Sequence, residues 1–384
     1  MESMSSSGSL PPEACWVALS ALTDTSFHDP VQYRQVISAL QNIDAACVRR
    51  HPAPFQRLGW LAELSLWIEQ QIAPLGIRLT GRFRQLTASP SFSLVRFETT
   101  GPAVWFKAVG QPNVREFHII LSLTQLFPAF LPVVIASRPE WNAWLAIEAR
   151  GTSPDALSEF AVWKSITVNL AQLQVASVGE FKRLLDTGLC NIGPEALLSR
   201  VDEFFAVMAE LMRQQIIDSP RRLTVGEIYV LKDQVRETLT TLANRRLPVA
   251  LNHLDFNPGN ILVDDHHCTF VDWAEAAIGH PFFTFEYLLE HFNRLYPQSL
   301  SHQAELTAEY ARVWGRYAPQ VDISHSLSLA PLAAVFAYAT SSGIWHQAAH
   351  LSTPQTAGYL RSLTRRMKRE ADALASRSLE CLSR

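Results

Sequence analysis

Three oxygen-bearing side chains in one short stretch carry the chemistry that stands out most in this sequence. Asn252-His253-Leu254-Asp255-Phe256-Asn257-Pro258-Gly259-Asn260 leads into two apolar segments, 261–263 and 268–271. The polar tip Asp264-Asp265-His266-His267 separates them, and Asp272 follows the second. Apolar runs around a polar tip predict a β-hairpin. With the turn centred near His266, Asn260 lies opposite Asp272, and directly paired residues sit about 5 Å apart at Cβ. One amide oxygen and one carboxylate at the open end of a hairpin suit Mg²⁺, whose remaining positions go to water and phosphate. The expectation depends on register, because a slip of one residue turns a side chain to the other face. Asp255 precedes the hairpin, in a loop that Pro258 and Gly259 hold to an irregular path. A carboxylate five residues before a metal ligand can take the proton of an attacking hydroxyl. Phosphoryl transfer asks little more of a protein than positioning, charge neutralisation and such an acceptor.

Lys107 is the second signal. The chain has only five lysines among its 33 basic residues, and Lys107 is the only one before Lys164. It sits in Val104-Trp105-Phe106-Lys107-Ala108-Val109, an apolar strand in which a lysine is costly without a partner; the alternative is an edge-strand lysine with its head in water. Asn113-Val114-Arg115-Glu116 reads as a capping box, with Asn113 as cap and Glu116 reaching back. Ser89-Pro90-Ser91-Phe92-Ser93 reads as a turn. His266 and His267 read as a solvated hairpin tip.

These residues need elements to position them. Between about 30 and 75 the pattern is helical, with Leu58, Leu61, Leu64, Leu66, Trp60 and Trp67 as apolar faces and Gly76 as the stop. Short β-like runs follow at 77–87, 92–99 and 103–108. A helix starts near Pro112 and ends before Pro128, and further strands fit 131–136 and 144–148. After Gly151 the expected helices cover 156–176, 193–217, 225–245, 282–296, 302–316, 324–341 and 355–380. One strand-rich interruption falls at 248–273. The pattern predicts an α+β chain of two lobes: a small β-sheet N-lobe and a large, mostly helical C-lobe. The expected divisions are an unstructured Ser-rich start at 1–28, helices at 29–75, an N-lobe at 76–150 and a C-lobe at 151–384.

The His253, Asp255, Asn260 spacing, followed by Asp272 at the end of the next strand, resembles the catalytic loop and metal motif of the protein-kinase-like superfamily. Asp272-Trp273-Ala274-Glu275-Ala276 and then Gly279-His280-Pro281-Phe282 resemble its aminoglycoside phosphotransferase/choline kinase branch. The resemblance covers about residues 76–300. It implies a two-lobed protein-kinase-like fold, Asp255 as catalytic base, Asn260 and Asp272 as Mg²⁺ ligands, and His253 as a scaffold residue. It implies Lys107 on the nucleotide phosphates, with Glu116 as its helix partner, so the ion pair and the capping box compete for one carboxylate. Ser91 would lie in the turn over the phosphates, where an ordinary turn is the alternative. Glu148 falls where the backbone of relatives meets adenine. The implied cofactors are ATP or GTP with Mg²⁺, and the implied partner is a small-molecule hydroxyl acceptor. Two positions depart from the family habit: Leu254 stands where glycine often follows the loop histidine, and Asn257 where histidine often follows the base. The other reading from a different class is a nucleotide-binding, inactive protein that acts through a protein partner.

Composition narrows the field. A formal charge of −3 gives no global basic field for nucleic acid. The longest apolar stretches, 127–136 and 327–339, are of core-element size rather than membrane-spanning. No basic region precedes an apolar segment at the start, so no secretory signal is expected. Cys15, Cys47, Cys190, Cys268 and Cys381 are odd in number and contain no CxxC pair, against a disulfide framework or a zinc site. A cytoplasmic protein is expected.

Overall fold

The computed structural model describes residues 54–382, save Leu58, Ser158 and Asp218, together with most of 29–40. The expected unstructured start and the segment 41–53 lie outside the described residues. The chain divides into two compact units, Met1–Phe117 with Val133–Glu148, and His118–Pro132 with Ala149–Arg384.

The first unit is built on β1 (Leu79–Ala88), β2 (Ser93–Thr99), β3 (Val104–Ala108), β4 (Val134–Arg138) and β5 (Ala143–Ile147), in the order β1-β2-β3-β5-β4. Every pairing is antiparallel. Burial alternates along β2 and β3, as a half-covered sheet requires. Helix α1 (Trp60–Ile72) covers one face: Leu64, Ile68 and Ile72 are fully buried against Val95, Phe97 and Phe106. Each such side chain is worth roughly 1.5–3 kcal/mol. The predicted helix thus belongs to the sheet's core. Leu66, expected on the apolar face, is instead 67% exposed, because its position falls on the opposite side of the helix from 61, 64 and 68. Gly76 stops this region in the left-handed conformation, φ 71°. Helix α2 (Arg115–Leu126) follows β3; its first three residues belong to this unit and the rest, from His118, to the second.

The second unit contains α3 (Phe160–Ser177), α4 (Phe181–Asp186), β6 (Cys190–Ile192), α5 (Pro194–Leu198), α6 (Val201–Arg213) and α7 (Val225–Asn244). Next come β7 (Ala250–His253), β8 (Ile261–Asp264), β9 (His267–Phe270) and β10 (Ala276–Gly279). The chain ends in α8 (Phe282–Leu295), α9 (Leu300–Tyr317), α10 (Ile323–Ser341), α11 (Ala348–Leu351) and α12 (Pro354–Leu382). The single helix expected over 193–217 is two, α5 and α6, with residues 199–200 between them. Strands β6 and β10 were not expected; they extend β7 on one side, in a sheet ordered β6-β10-β7. Strands of three and four residues offer too few positions for periodicity to register. Helix α10 is long and apolar enough to cross a membrane by length and composition, but 72% of that stretch is buried. Core packing accounts for its composition.

Candidate active site

Helix α3 and the segment 151–153 set the hairpin β8–β9. Ile261, Val263, Cys268 and Phe270 point into the core at 5% exposure or less. Asn169 of α3 holds the tip, donating Nδ2 to the His266 carbonyl (2.9 Å) and accepting from the Cys268 amide (3.4 Å). Thr152 exchanges two backbone hydrogen bonds of 3.0 Å with Val263 along the outer edge of β8. The approach is so close that a Cβ on Gly151, which has φ +108°, would meet the Val263 carbonyl carbon and oxygen at 2.6 Å. Gly151→Ala should therefore cost about 2–3 kcal/mol in urea denaturation, through backbone strain and overlap together. An unchanged midpoint would mean this segment does not brace the hairpin.

The hairpin register differs from the expected one. Asp264 pairs with His267 and Ile261 with Phe270, so the turn is the two-residue Asp265-His266 step, closed by Asp265 at φ 58°. Asn260 accordingly faces Val271, whose amide donates to the Asn260 carbonyl (3.0 Å), and Asp272 lies one residue further on. The expectation that Asn260 sits directly opposite Asp272 is corrected: the turn spans two residues rather than centring on His266. Alternation does not orient Asp272 either, because it leaves the strand in the left-handed region, φ 62° and ψ 69°. Its exposed carboxylate is flanked by buried Trp273, whose Nε1 donates to the Phe270 carbonyl (3.0 Å).

The loop before the hairpin is tied by side-chain amides. Asp255 is exposed between buried Leu254 (3%) and Phe256 (1%), which anchor it on either side. Leu254 joins the hydrophobic core of the second unit. Asn260 donates Nδ2 to Asp255 Oδ2 (3.0 Å) and to its carbonyl (2.9 Å). Asn257 donates to Asp255 Oδ1 (2.9 Å) while its own Oδ1 accepts from the Gly259 amide (2.9 Å). The Asp255 carboxylate is thus gripped on both oxygens. Asn260, by spending its amide nitrogen, turns its Oδ1 away from that carboxylate. These assignments follow from the network, since amide oxygen and nitrogen are distinguished by their partners.

His253 is buried (1%). Its Nε2 lies 2.9 Å from the Val271 carbonyl, and its ring packs 4.7 Å from Trp273, so it links the start of the loop to the residue before Asp272. Asn252 accepts from the Thr284 amide (3.2 Å) and hydroxyl (2.9 Å). Ser153 donates to the Pro258 carbonyl (3.0 Å). Sequence reasoning missed Asn257, Asn252 and Ser153 as positioning residues. Only Asn257 carried a signal, since Asn-Pro-Gly favours a turn capped by its own side chain.

In the first unit Lys107 occupies the face of β3 opposite α1, because Val104, Phe106 and Ala108 take the buried positions. Its Nζ lies 2.6 Å from Glu116 Oε1 and 5.6 Å from the Trp144 ring centroid. Glu116 is 1% exposed, so the pair is buried, and this oxygen is taken by the ion pair rather than by a capping box. Ser91 lies in the bend between β1 and β2, so close to Gly110 that a Cβ there would meet Ser91 Oγ at 2.1 Å. The Glu148 side chain is held within the sheet. Arg96 grips both its oxygens (2.6 and 2.9 Å), Trp105 donates to it (3.0 Å), and its amide donates to the Ala103 carbonyl (2.8 Å). The Arg96 hydrogen bond holds the Glu148 carboxyl below its usual range against the opposing effect of burial. Its side chain braces β2, β3 and β5 together.

For a divalent ion, no group of three or more His, Cys, Asp or Glu converges among the described residues. One amide oxygen and one carboxylate nonetheless fit a hard cation that takes its other ligands from phosphate and water.

Residues 168–320 match the family described as the phosphotransferase enzyme family. A comparison with curated proteins gave no match. Among solved structures, the choline kinase of Cryptosporidium parvum Iowa II is similar at 13% identity, covering 84% of this chain and 96% of that one, with a TM-score of 0.54. The choline kinase of Streptococcus pneumoniae is similar at 11% identity, covering 82% and 99%, with a TM-score of 0.50. The streptomycin-ATP ternary complex of APH(2'')-IIa is similar at 15% identity, covering 78% and 95%, with a TM-score of 0.50. At these identities the structural likeness speaks for the fold, and the family match falls on the stretch that contains Asp255, Asn260 and Asp272. The fold is thus similar to that of these solved kinases, and residues 168–320 are similar to the phosphotransferase enzyme family.

Proposed function

We propose that the protein transfers the γ-phosphoryl group of ATP to a hydroxyl of a small molecule, with Mg²⁺ as the metal. The observation that carries this is the Asp255 carboxylate, exposed and held on both oxygens by the Asn257 and Asn260 amides. A carboxylate fixed in that way can orient a hydroxyl and accept its proton as the oxygen attacks phosphorus. The new bond joins the acceptor oxygen to the γ-phosphorus, the bond to the β-phosphate bridging oxygen breaks, and ADP leaves with that electron pair. Asn260 and Asp272 would hold the metal, which when bound offsets phosphate charge. Lys107, held by Glu116, would contact the phosphates, and Ser91 would lie in the turn beside them. Support for ATP comes from APH(2'')-IIa, solved with streptomycin and ATP. Choline and aminoglycosides, named for the relatives, mark the breadth of acceptor this family admits.

The test is nucleotide binding by thermal shift. Mg-ATP at a hundred times its Kd should stabilise the protein by about 2.7 kcal/mol through mass action. Asp272→Ala should abolish the magnesium-dependent part of that gain. If the variant bound Mg-ATP as tightly as the parent, Asp272 would not be a metal ligand.

A further inference from the structure

A turn at a protein surface normally sends its amides into water and keeps isoleucines under cover. The segment between α6 and α7 does the reverse. Ile216 is 97% exposed and Ile217 72%. The polar side chains beside them hold the backbone of the turn instead. Gln215 donates Nε2 to the Ile217 carbonyl (2.6 Å) and to the Pro220 carbonyl (2.8 Å). Arg365 of α12 donates to the Arg221 carbonyl (2.8 Å), to the Pro220 carbonyl (3.2 Å) and to Gln215 Oε1. The turn is thus clamped with both isoleucines outward. Of the fifteen large apolar side chains exposed among the described residues, five fall between 216 and 230, where Val225, Tyr229 and Val230 follow at the start of α7. Single exposed apolar residues are ordinary; a cluster fixed outward marks an interaction site.

The charge beside this turn is positive. Residues 361–369 of α12 include five basic residues and no acid, on a chain of formal charge −3. Arg366 is paired with Glu290 and Lys368 with Asp372. Arg361, Arg365 and Arg369, spaced by four, share one face of the helix. Arg361 donates to the Leu211 carbonyl at the end of α6 (3.3 Å) and Arg365 to the turn itself, so this face lies against the isoleucine segment. No carboxylate pairs with any of the three among the described residues. Like charges four apart on a helix repel, and an approaching anion relieves that repulsion. The neighbouring Arg213 and Arg221 are neutralised by Glu210 and Glu227 and add no net charge.

We propose that this turn and the basic face of α12 form a docking surface for an anionic lipid bilayer. Ile216 and Ile217 enter the boundary between headgroups and acyl chains, and the three arginines meet the negative headgroups. The surface goes beyond phosphotransfer and does not depend on it. Shape and size favour a bilayer over a protein. Two adjacent side chains that stand almost clear of the fold make a projection, not a recess. They offer far less than the roughly 800 Å² a side that a specific protein complex buries. A bilayer asks only for apolar atoms that reach its acyl boundary and for cations within a Debye length of its surface. The two signals act together, since one weak anchor alone gives only marginal binding.

The experiment sediments the full chain with vesicles of phosphatidylcholine alone and of phosphatidylcholine mixed with phosphatidylglycerol. The protein should bind the mixed vesicles at least about tenfold more tightly than the neutral ones. High salt should remove most of that difference by screening. Ile216→Ser with Ile217→Ser should weaken binding to mixed vesicles by at least about tenfold, with the melting temperature unchanged. Arg369→Gln, at an exposed residue, should weaken it by about threefold to fivefold. Leu300→Ser, 76% exposed elsewhere in the same unit, should leave it unchanged. Failure to bind mixed vesicles, equal binding to both kinds, or parental binding by the double serine variant overturns the inference. So does a concentration-dependent dimer, seen by light scattering without lipid, that the double variant abolishes, because the isoleucines would then belong to a contact between copies. Capture of soluble polyglutamate in place of vesicles, weakened by Arg369→Gln but not by the serine pair, would overturn it in favour of an acidic protein partner.

Discussion

Asp255→Asn should lower acceptor phosphorylation by about a thousandfold in kcat, within the range of about 10²–10⁴ that a positioned general base contributes. The replacement removes the proton acceptor but keeps an oxygen for the amide of Asn257 or Asn260 to approach. Asp255 is exposed, so its loss creates no cavity and buries no unpaired group. The melting temperature should therefore stay close to that of the parent, as surface substitutions usually change stability by less than about 0.5 kcal/mol. Mg-ATP should still produce its thermal shift, since the residues proposed to hold nucleotide and metal are untouched. The measurement is single-turnover transfer of labelled phosphate beside a thermal melt of the same preparation. A variant that kept more than about a tenth of the parental rate would remove Asp255 from the role of base.

The second large effect concerns the pair in the first unit. Lys107→Met strands the Glu116 carboxylate, which is 1% exposed, without the ammonium 2.6 Å away. Breaking a buried ion pair from one side costs about 3–5 kcal/mol. Replacing both members with apolar residues of similar volume, Lys107→Met with Glu116→Leu, should recover most of that loss, since the desolvation of two charges is also removed. Urea midpoints for the four members of the cycle give the coupling directly. Function should not follow stability. The double variant should be well folded yet fail to gain stability from Mg-ATP, because the phosphates have lost their cation. If it kept the parental Mg-ATP shift, Lys107 would be a structural lysine and no more.

The two units differed in how readable they were. Helices such as α7, expected at 225–245 and found at Val225–Asn244, show apolar spacing and a Thr224–Glu227 capping box that local sequence specifies. The strands of the first unit were readable because turn residues punctuate them and one face is polar. Strands β6 and β10 were not, since each is short and gains its identity only from its neighbours in the sheet. Where the sequence left alternatives, tertiary contact decided between them. The capping box and the ion pair both asked for Glu116, and proximity of β3 to the start of α2 committed one oxygen to Lys107. The side chain of Glu148, a residue placed near the nucleotide by order along the chain, is held by Arg96 and Trp105, partners 52 and 43 residues away that no local pattern reveals.

Residue types and their spacing alone established that an acid, an amide and a second acid stand around one hairpin, and that a lone early lysine sits in an apolar strand. These are covalent facts, and spacing along a chain limits how far apart such groups can lie. The folded chain decided how they are oriented. A two-residue turn moved Asn260 opposite Val271, the left-handed backbone of Asp272 broke the alternation that would have aimed it, and Asn257 and Asn260 clasped Asp255. Register and direction depend on packing between distant segments, here Asn169 and Thr152 against the hairpin, and that energy has no signature within any short window of sequence.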